Sequence, residues 1–430
     1  RPFLTSNNLL GASCAVLLSA PLAFGAVEPW AVFLLELCAA VLLVAWALRQ
    51  YVHRELDLIP NPVYIPALVF AALVSAQWIA GFTAYRQQTY SHLLLYVAYG
   101  MLAFVVTQSL RRTSQLWWLA WAVCVYGGAI AAFSLVQGLA PNGKIFWIFS
   151  LQQGGLIYGP YVNHNHYAGL MEMLIPFPLA LAASRFTRGP RKLTVAGIGA
   201  LMAATIFLSG SRGGMIAFGV QIVALALMMR PSQDWKQPLI LGSFVVAMIG
   251  LLVWVGGNDL THRLSSIHSE ARQEISGGTR LTIDRDSLYM WKQKPILGWG
   301  LGTFPDIYPQ FRSFYTGFFV NEAHNDYLQL LVETGVVGFS IAVWFLVITV
   351  RGARPKVVKW TENPNGVLTL AALVGCLGIL VHSFLDFNLQ IPANAALFYT
   401  LCAVAAAPAL KESQRRLIHR HRLTLEPPRD

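Results

Sequence analysis

The sequence predicts an all-α polytopic membrane protein, and two features of its composition indicate this fold class. Apolar residues make up 56% of the 430 residues, and charged residues make up only 12%. A soluble domain carries about 25% charged residues. So much apolar surface cannot be buried in the cores of water-soluble domains, which excludes that class of protein. We therefore treat residues 1–430 as a single membrane domain.

The predicted membrane spans are apolar stretches long enough, or nearly so, to cross about 30 Å of hydrocarbon as helices. We predict twelve: residues 9–27, 30–48, 63–82, 91–109, 116–138, 167–184, 193–209, 213–229, 238–256, 327–350, 364–384 and 391–408. Helices are predicted because backbone groups in lipid must bond within their own segment, and the loops are too short for barrel hairpins.

The distribution of Lys and Arg predicts how these spans are oriented. With a cytoplasmic N-terminus, the cytoplasmic segments hold 21 of the 31 basic residues, whereas the five shorter outside loops hold three. This bias places both termini in the cytoplasm and the long loop 257–326 outside, between the ninth and tenth spans. The basic tail, residues 409–430, is expected to lie against anionic lipid head groups of the bilayer. The net charge of +11 is then a signal of topology, and no nucleic-acid partner is expected.

The long outside loop is predicted to be a folded cap rather than a charged tether, because it contains eight acidic and seven basic residues. Loops of this length are rare unless they are functional. Residues 280–293 have helical spacing of their apolar positions, and the following KPILGWGLGTFPD segment is broken by Pro and Gly into turns.

Arg212 lies in a very short outside turn, the SGSRGG segment of residues 209–214. Glycines here let a large ligand approach the backbone. The next span begins at this turn with the positive end of its helix dipole, so an arginine fork beside helix-start amides is suited to a diphosphate. The alternative is an arginine that only extends from the membrane surface into water.

Two further groups belong to the long loop. Arg280, in GGTRLTIDRDSLYMW, could bind an anion, or it could simply pair with Asp284 or Asp286 in solvent. His324, in NEAHNDY, lies at the entry of the tenth span, where a histidine could act as a base near neutral pH. The alternative for such a loop histidine is ordinary polar surface.

The segment YGPYVNHNHYAG, residues 158–169, opens the sixth span and contains His164 and His166. A metal site would need further ligands that the sequence does not identify. We therefore predict a turn whose Asn163 and Asn165 hydrogen-bond to substrate or to backbone.

Three acidic residues fall inside predicted spans, namely Glu36, Glu172 and Glu333. Carboxylates within a membrane are candidates for function. Glu172 and Glu333 lie within about two turns of the outer end of their spans, so they could instead orient nearby arginines.

Taken together, these motifs resemble the O-antigen ligase and polymerase superfamily. In chain order they are YVNHNHYAGLMEMLIPF, SGSRGG, an Arg followed by W-x-x-x-P-I-L-G-W-G-L-G-T-F, and EAHNDYLQLLVETGVVGF. Their order, their spacing and the position of the long loop all match. The resemblance covers residues 158–340, whereas the first five spans agree only in being apolar.

The resemblance implies a GT-C-like glycosyltransferase of the bacterial inner membrane that works at the periplasmic face, so that 257–326 becomes a periplasmic loop. Such enzymes move a glycan from undecaprenyl diphosphate to an acceptor hydroxyl. In ligases the acceptor is lipid A–core, and in polymerases it is another lipid-linked glycan. The family uses two arginines and a histidine, without a required metal or other cofactor, and the matching positions are Arg212, Arg280 and His324. Four further polar residues are expected to contact substrate: Asn163, Asn165, His166 and Asn325.

The chemistry agrees with this assignment. Breaking a glycosyl–diphosphate bond develops negative charge on the leaving phosphate, and either a divalent cation or fixed positive groups can neutralise it. Asp284 and Asp286 have the spacing of a metal-binding pair, but they point to different faces of the predicted helix. We therefore predict that no metal takes part. Arg212 and Arg280 would hold the diphosphate while His324 accepts the proton of the attacking hydroxyl, with inversion at the anomeric carbon.

Several functions stay open at this stage. Ligase activity on lipid A–core is preferred because the chain has one dominant outside loop, whereas polymerases often have two. An O-antigen or exopolysaccharide polymerase and a protein O-oligosaccharyltransferase share the signature. From a different class, a secondary transporter or flippase suits the span number, but transporters usually carry ionisable groups at mid-membrane. A non-catalytic scaffold is the last alternative.

Overall fold

The computed structural model describes residues 5–54, 56–150, 156–229, 277–315, 319–358 and 360–410. Within these ranges the chain is almost entirely helical. The α-helices are α1 (Ser6–Ser19), α2 (Pro29–His53), α3 (Tyr64–Ala80), α4 (Arg86–Ser109), α5 (Thr113–Leu139), α6 (His164–Leu174), α7 (Pro176–Ala183), α8 (Pro190–Ser209), α9 (Arg212–Met228), α10 (Gly277–Gln293), α11 (Phe304–Ile307), α12 (Asp326–Val357), α13 (Pro364–His382) and α14 (Pro392–Ala406). Short 3₁₀ turns lie at Ala20–Leu22, Tyr308–Gln310, Trp360–Glu362 and Asn388–Gln390. Two short strands, β1 (Lys144–Ile145) and β2 (Phe149–Ser150), pair as an antiparallel hairpin.

Helices lie at every predicted span that the described ranges contain. Seven are long and apolar enough to cross a membrane: α2, α4, α5, the α6–α7 pair, α8, α12 and α13. The shorter apolar helices are α3, α9 and α14. These helices confirm the predicted all-α class and support a multi-pass membrane protein. The predicted ninth span 238–256, residues 257–276 of the long loop and the tail from 411 lie outside the described residues, so the number of twelve spans stays a prediction.

The first predicted span, residues 9–27, ends earlier than expected. α1 stops at Ser19, and a 3₁₀ turn containing Pro21 follows. Phe24 and Ala26 then adopt left-handed backbone angles (φ 58° for both). The proline is tolerated at the start of the tighter turn, where its missing N–H is not needed. As a result, the chain after Pro21 forms an irregular wall instead of two further helical turns.

The buried centre of the protein consists of α6, α7, α13 and α14. Every residue of α6 and α7 is buried, and α13 and α14 pack on each other and on this pair. The predicted sixth span is divided in two because Pro176 starts α7 directly after Ile175. The remaining long helices surround this centre, so the ends of α6, α13 and α14 meet polar loops.

α12 is interrupted at Gly335, whose backbone angles (φ 64°, ψ −171°) are not helical. The break is filled by residues 295–300, which we call the strap. The Trp299 amide donates a 3.0 Å hydrogen bond to the Val332 carbonyl, one of those that the break leaves without a helical partner. A Cβ at Gly335 would lie 2.1 Å from the carbonyl oxygen of Ile296, so only glycine allows this approach. The PILGWG and VETG motifs therefore lie together because their backbone groups hydrogen-bond to each other.

Candidate functional site

A buried carboxylate lies at the centre of the candidate site. Asp386 follows the C-terminal end of α13, and its side chain is only 1% exposed. Its Oδ1 accepts from the backbone amide of Phe387 (2.9 Å) and lies 3.2 Å from Nδ1 of His324. Its Oδ2 accepts from the amide of Asn165 and lies 3.9 Å from Nη2 of Arg280. We call Asp386, His324, Arg280 and Asn165 the Asp386 cluster.

The charges around Asp386 keep it ionised. Burial alone would raise the pKa of this carboxyl, because a charge loses hydration inside a protein. The hydrogen bond with His324 and the positive charge of Arg280 oppose burial and hold the pKa of Asp386 well below its usual range. Asp386 is therefore a fixed negative charge at neutral pH.

His324 is held in a defined orientation. Its backbone is left-handed (φ 55°), a conformation that non-glycine residues adopt rarely and that occurs often at functional sites. An ionised carboxylate can only accept hydrogen bonds, so Nδ1 of His324 is the donor to Asp386. In the neutral imidazole the lone pair is then on Nε2. The ring also meets Phe387 edge to face, with centroids 4.9 Å apart.

Arg280 lies on α10 and reaches the loop that follows α13, which contains Leu385 and Asp386. Its Nη1 donates a 2.8 Å hydrogen bond to the carbonyl of Leu385, and about a third of its side chain (32%) is exposed. Pairing with Asp386, rather than with Asp286, is what the structure shows. Asp284 lies one helical turn after Arg280, and burial, opposed by His324 and Arg280, raises its pKa to about 6.

Asp286 points away from the site, as its position on another face of the helix predicts. Its Oδ2 accepts from the hydroxyl of Tyr308 (3.3 Å) and from the amide of Ser313 (2.9 Å). Asp284 and Asp286 therefore serve different surroundings. Among the described residues, no group of three or more His, Cys, Asp or Glu side chains is placed to hold a metal ion.

Arg212 is the first residue of α9, directly after the N-cap Ser211, and its side chain is exposed. Gly213 follows it and lies against the ring of His382, because a Cβ at Gly213 would be 2.5 Å from both Cδ2 and Nε2 of that ring. His382 ends α13, four residues before Asp386. Arg212 and Arg280 thus both belong to segments that contact the same end of α13.

A cavity of about 2060 Å³ lies beside the Asp386 cluster. Five of the predicted site residues line it: Asn163, Asn165, His166, Arg280 and His324. The described lining does not include Arg212 or Asn325. Apolar and aromatic side chains of α2 and of the β1–β2 hairpin form another wall, including the partly exposed Trp30, Phe33 and Phe149.

Two of the predicted asparagines cap helices, and for Asn163 a hydrogen bond to backbone is one of the two roles that the sequence predicts. Asn163 and Asn325 are the N-caps of α6 and α12, and their side chains accept from the backbone amides of Asn165 (2.9 Å) and Leu328 (3.2 Å). These caps fix the helix starts that present the site. Asn165, in contrast, donates directly to Asp386.

His164 and His166 do not form a pair. Nδ1 of His164 hydrogen-bonds to the carbonyl of Ser209 (2.7 Å), so it connects α6 with the end of α8. His166 meets Phe387 edge to face at 4.7 Å, and its buried Nε2 has no hydrogen-bond partner among the described residues. The described lining of the cavity includes His166 but not His164, which makes His166 the better candidate for contacting a ligand.

The intramembrane Glu333 supports the site from outside it. Its Oε2 accepts from the amide of Gly302 (2.9 Å), and its Oε1 accepts from Gln329 (3.4 Å). Gln329 also accepts from the amide of Ala323 (2.9 Å), directly before His324, and donates to Glu322. This network holds the segment that presents His324.

Sequence reasoning missed Asp386, the residue on which the site converges. One signal could have found it: Asp386 lies just beyond the outer end of the eleventh predicted span, on the same side as Arg212, Arg280 and His324. An acid at that end was the natural partner for a histidine and an arginine. The ring contact of Phe387 with His324 and the pairing of Glu172 with His382 were also not predicted.

Residues 197–343 match the family model described as O-Antigen ligase. The match contains Arg212, Arg280 and His324, and it confirms the resemblance to the O-antigen ligase and polymerase superfamily. No curated protein matches the chain.

Proposed function

We propose that this chain, which carries an O-antigen ligase family region at residues 197–343, moves a glycan from undecaprenyl diphosphate to an acceptor sugar hydroxyl at the periplasmic face of the bacterial inner membrane. The acceptor we propose is lipid A–core, which makes the protein an O-antigen ligase. The carrying observation is that His324, Arg280 and Asp386 meet beside one large cavity. Family membership supports the class of reaction at a coarse level, and the following steps belong to the proposal.

His324 acts as the general base. Its Nε2 takes the proton of the acceptor hydroxyl as that oxygen attacks the anomeric carbon. Asp386 holds the ring through Nδ1 and stabilises the imidazolium that forms. The new carbon–oxygen bond forms as the bond from the anomeric carbon to the diphosphate oxygen breaks. Direct displacement inverts the configuration at that carbon.

The leaving diphosphate takes up the electron pair of the broken bond. Arg280 on one side and Arg212 on the other supply fixed positive charge that stabilises the developing negative charge. A planar guanidinium also offers paired donors that match two phosphate oxygens. His166, which lines the same cavity, contacts the same group in this proposal.

The cavity is large enough for a lipid-linked glycan together with an acceptor sugar. Small-molecule pockets have volumes of roughly 300–1,000 Å³, and this one measures about 2060 Å³. Its apolar wall includes Trp30 and Phe33 of α2, which are 52% and 60% exposed. In a membrane such side chains face hydrocarbon, so a polyprenyl chain can leave the cavity along this wall while the diphosphate stays at the polar end.

A transfer assay with purified protein and undecaprenyl-diphosphate-linked glycan tests the proposal. Arg280→Ala should lower the rate roughly 10²–10³-fold, because it removes a preorganised donor to developing charge. Arg212→Lys should also be impaired, since a point charge does not reproduce a bidentate fork. EDTA should have no effect. Arg185→Ala, which removes an ion pair with Glu362 far from the site, is the control.

Near-normal rates in Arg280→Ala together with loss of wild-type activity in EDTA would contradict the arginine mechanism. A gene deletion distinguishes the acceptor: lipid A–core without any O-chain indicates a ligase. Core that carries a single repeat unit indicates a polymerase instead.

A further inference from the structure

A buried acid–base pair lies next to the site and is not used by the proposed chemistry. Nδ1 of His382 is 2.8 Å from Oε1 of Glu172, and the two side chains are 1% and 0% exposed. Ionisable groups inside a membrane protein are costly and need a reason to be retained. Neither residue lines the cavity, as far as the described lining extends.

His382 contacts the turn that carries Arg212. Its ring lies against Gly213, where even a single methyl group would come within 2.5 Å of two ring atoms. The ring therefore sets how closely the first turn of α9 can approach α13. The hydrogen bond between Nδ1 of His382 and Oε1 of Glu172 fixes the orientation of that ring, because a histidine with one nitrogen bound cannot rotate freely.

His382 also starts the loop that carries the rest of the site. Its backbone carbonyl accepts from the amides of Leu385 (2.8 Å) and Asp386 (3.1 Å). Leu385 in turn accepts from Arg280. The ring of His382 thus contacts the turn that carries Arg212. Its backbone holds Leu385, the residue to which Arg280 is hydrogen-bonded.

A second contact fixes α9 further along its length. Nε2 of Gln221 donates to the carbonyl of Glu172 (2.7 Å) and to the carbonyl of Val374 (2.9 Å), so α9 is hydrogen-bonded to both α6 and α13. Two contacts about two turns apart prevent α9 from sliding or rotating against α13. The distance between the start of α9 and the Asp386 loop is then a rigid property of the fold.

We propose that Glu172 and His382 are positioning residues that set the spacing between Arg212 and Arg280 and so match the pair to a diphosphate. This inference rests on the proposed function. A diphosphate has a limited span between its charged oxygens, so two guanidinium groups bind both phosphates only within a narrow range of separations. A misplacement of about 1 Å at a reacting centre can cost roughly 10²-fold in rate, which explains why a costly buried pair is kept.

Distances measured by pulsed EPR test this positioning role of Glu172 and His382 without an activity assay. Spin labels are attached to non-natural amino acids at Ile216 and Leu281, which are exposed and lie beside the two arginines. His382→Ala should shift or broaden the distance distribution by about 1–2 Å, the size of a helix shift. Tyr167→Phe is the matched control, because it removes a buried hydrogen bond from α6 to Thr205 (2.8 Å) without touching His382. An unchanged distribution in His382→Ala would overturn the proposal.

Donor and acceptor kinetics give a second readout. His382→Ala and Glu172→Gln should lower kcat/KM for the donor by up to roughly 10²-fold and leave the acceptor KM unchanged, whereas Tyr167→Phe should change neither. Equal effects on both substrates would indicate a general loss of structure and contradict a positioning role.

A size-compensation experiment covers the case in which a single variant folds poorly. Gly213→Ala forces a methyl group into the His382 ring, and truncation to His382→Ala makes room for it. The double variant should therefore transfer faster than Gly213→Ala alone, and a double variant no better than this single variant would count against the contact. If the wild-type protein transfers no glycan, the proposed function fails. The EPR distances still test whether His382 sets the spacing between the segments that carry Arg212 and Arg280.

Discussion

The two ends of α12, α13 and α14 use polar side chains in opposite ways. At the end that carries Asp386, side chains bind other side chains: His324, Asn165 and Arg280 all converge on one carboxylate. At the other end, which we call the Lys356 end, buried polar groups bind backbone. Lys356, only 6% exposed, donates to the carbonyls of Val404 and Ala407.

Other polar groups at the Lys356 end follow the same pattern. Gln108 both accepts from and donates to the backbone of Ile59 at 2.8 Å. Asn365 accepts from the amide of Leu410 (2.8 Å) and donates to its carbonyl (3.0 Å). These bonds complete helix ends that would otherwise leave backbone groups unsatisfied. Their role is to hold the fold together.

The two ends distinguish polar groups that maintain the fold of this protein from polar groups that serve its function. A side chain that completes backbone hydrogen bonds is fully used by the fold, as at the Lys356 end. At the Asp386 end, in contrast, His324, Asn165 and Arg280 surround one carboxylate and also line the large cavity. Such groups have interactions to offer to a ligand. Variants at the first end should therefore change stability, and variants at the second end should change activity.

The largest effect is expected for Asp386→Asn. An amide can donate to Nδ1 of His324, which places the ring proton on Nε2 and removes the base. The rate at saturating substrates should fall roughly 10²–10⁴-fold, the range of a lost general base. The initial rate of glycan transfer measures this.

Asp57→Asn provides the matching control for that variant. Asp57 pairs with Arg111 at 2.6 Å, but it is 70% exposed and lies at the Lys356 end, so its loss should leave transfer unchanged. A rate for Asp386→Asn as high as that of Asp57→Asn would show that Asp386 does not orient the base.

Much of the candidate site could be predicted from the sequence because topology alone brings it together. In the predicted topology the outer ends of the sixth, eighth and tenth spans face the same side, which brings Asn165, Arg212 and His324 to one end of the bundle. The predicted loop between the ninth and tenth spans places Arg280 there too. The helices themselves follow from apolar stretches that can satisfy their backbone only internally.

The contacts within the site could not be predicted in the same way. Asp386 binds Asn165 across 221 positions of the chain, and Glu172 binds His382 across 210. Such pairs depend on how the helices pack and rotate, which apolar periodicity does not encode. The strap in the break of α12 is equally invisible, because it requires Gly335 to leave the helix only when another segment is present to fill the gap.

A smaller effect, on stability alone, is expected for Lys356→Met. The side chain keeps its length but loses its hydrogen bonds to the end of α14, which should lower the free energy of unfolding by about 1–3 kcal/mol. Thermal unfolding in detergent measures the change, and transfer per folded molecule should stay at the wild-type value. Arg354→Met, exposed on the same helix, should change neither. Loss of activity in folded Lys356→Met would erase the distinction between the two ends.

The smallest effect is a change in the pH dependence of stability, and it comes from Glu322. Burial, opposed by Gln329, raises the pKa of this cavity-lining carboxyl from 4.5 to about 8. The folded protein therefore keeps this proton up to about pH 8, whereas the unfolded chain releases it near its ordinary pKa. Since stability falls with pH wherever the folded state binds more protons, this contribution is complete below pH 4.5 and is lost as pH rises through 8.

Glu322→Gln removes this titration and should make the melting temperature less dependent on pH between about 5 and 8. Glu362→Gln is the control, because Glu362 lies at the Lys356 end with 49% of its side chain exposed and an ion pair to Arg185. It should follow the wild-type curve. Asp386, whose pKa is lowered, has the opposite sign: its contribution is present above its ordinary pKa and is lost in acid. The prediction is contradicted if the melting temperature of the wild type rises from pH 5 to 8 and Glu322→Gln has the same profile. Glu322 would then be as well hydrated in the folded protein as in the unfolded chain.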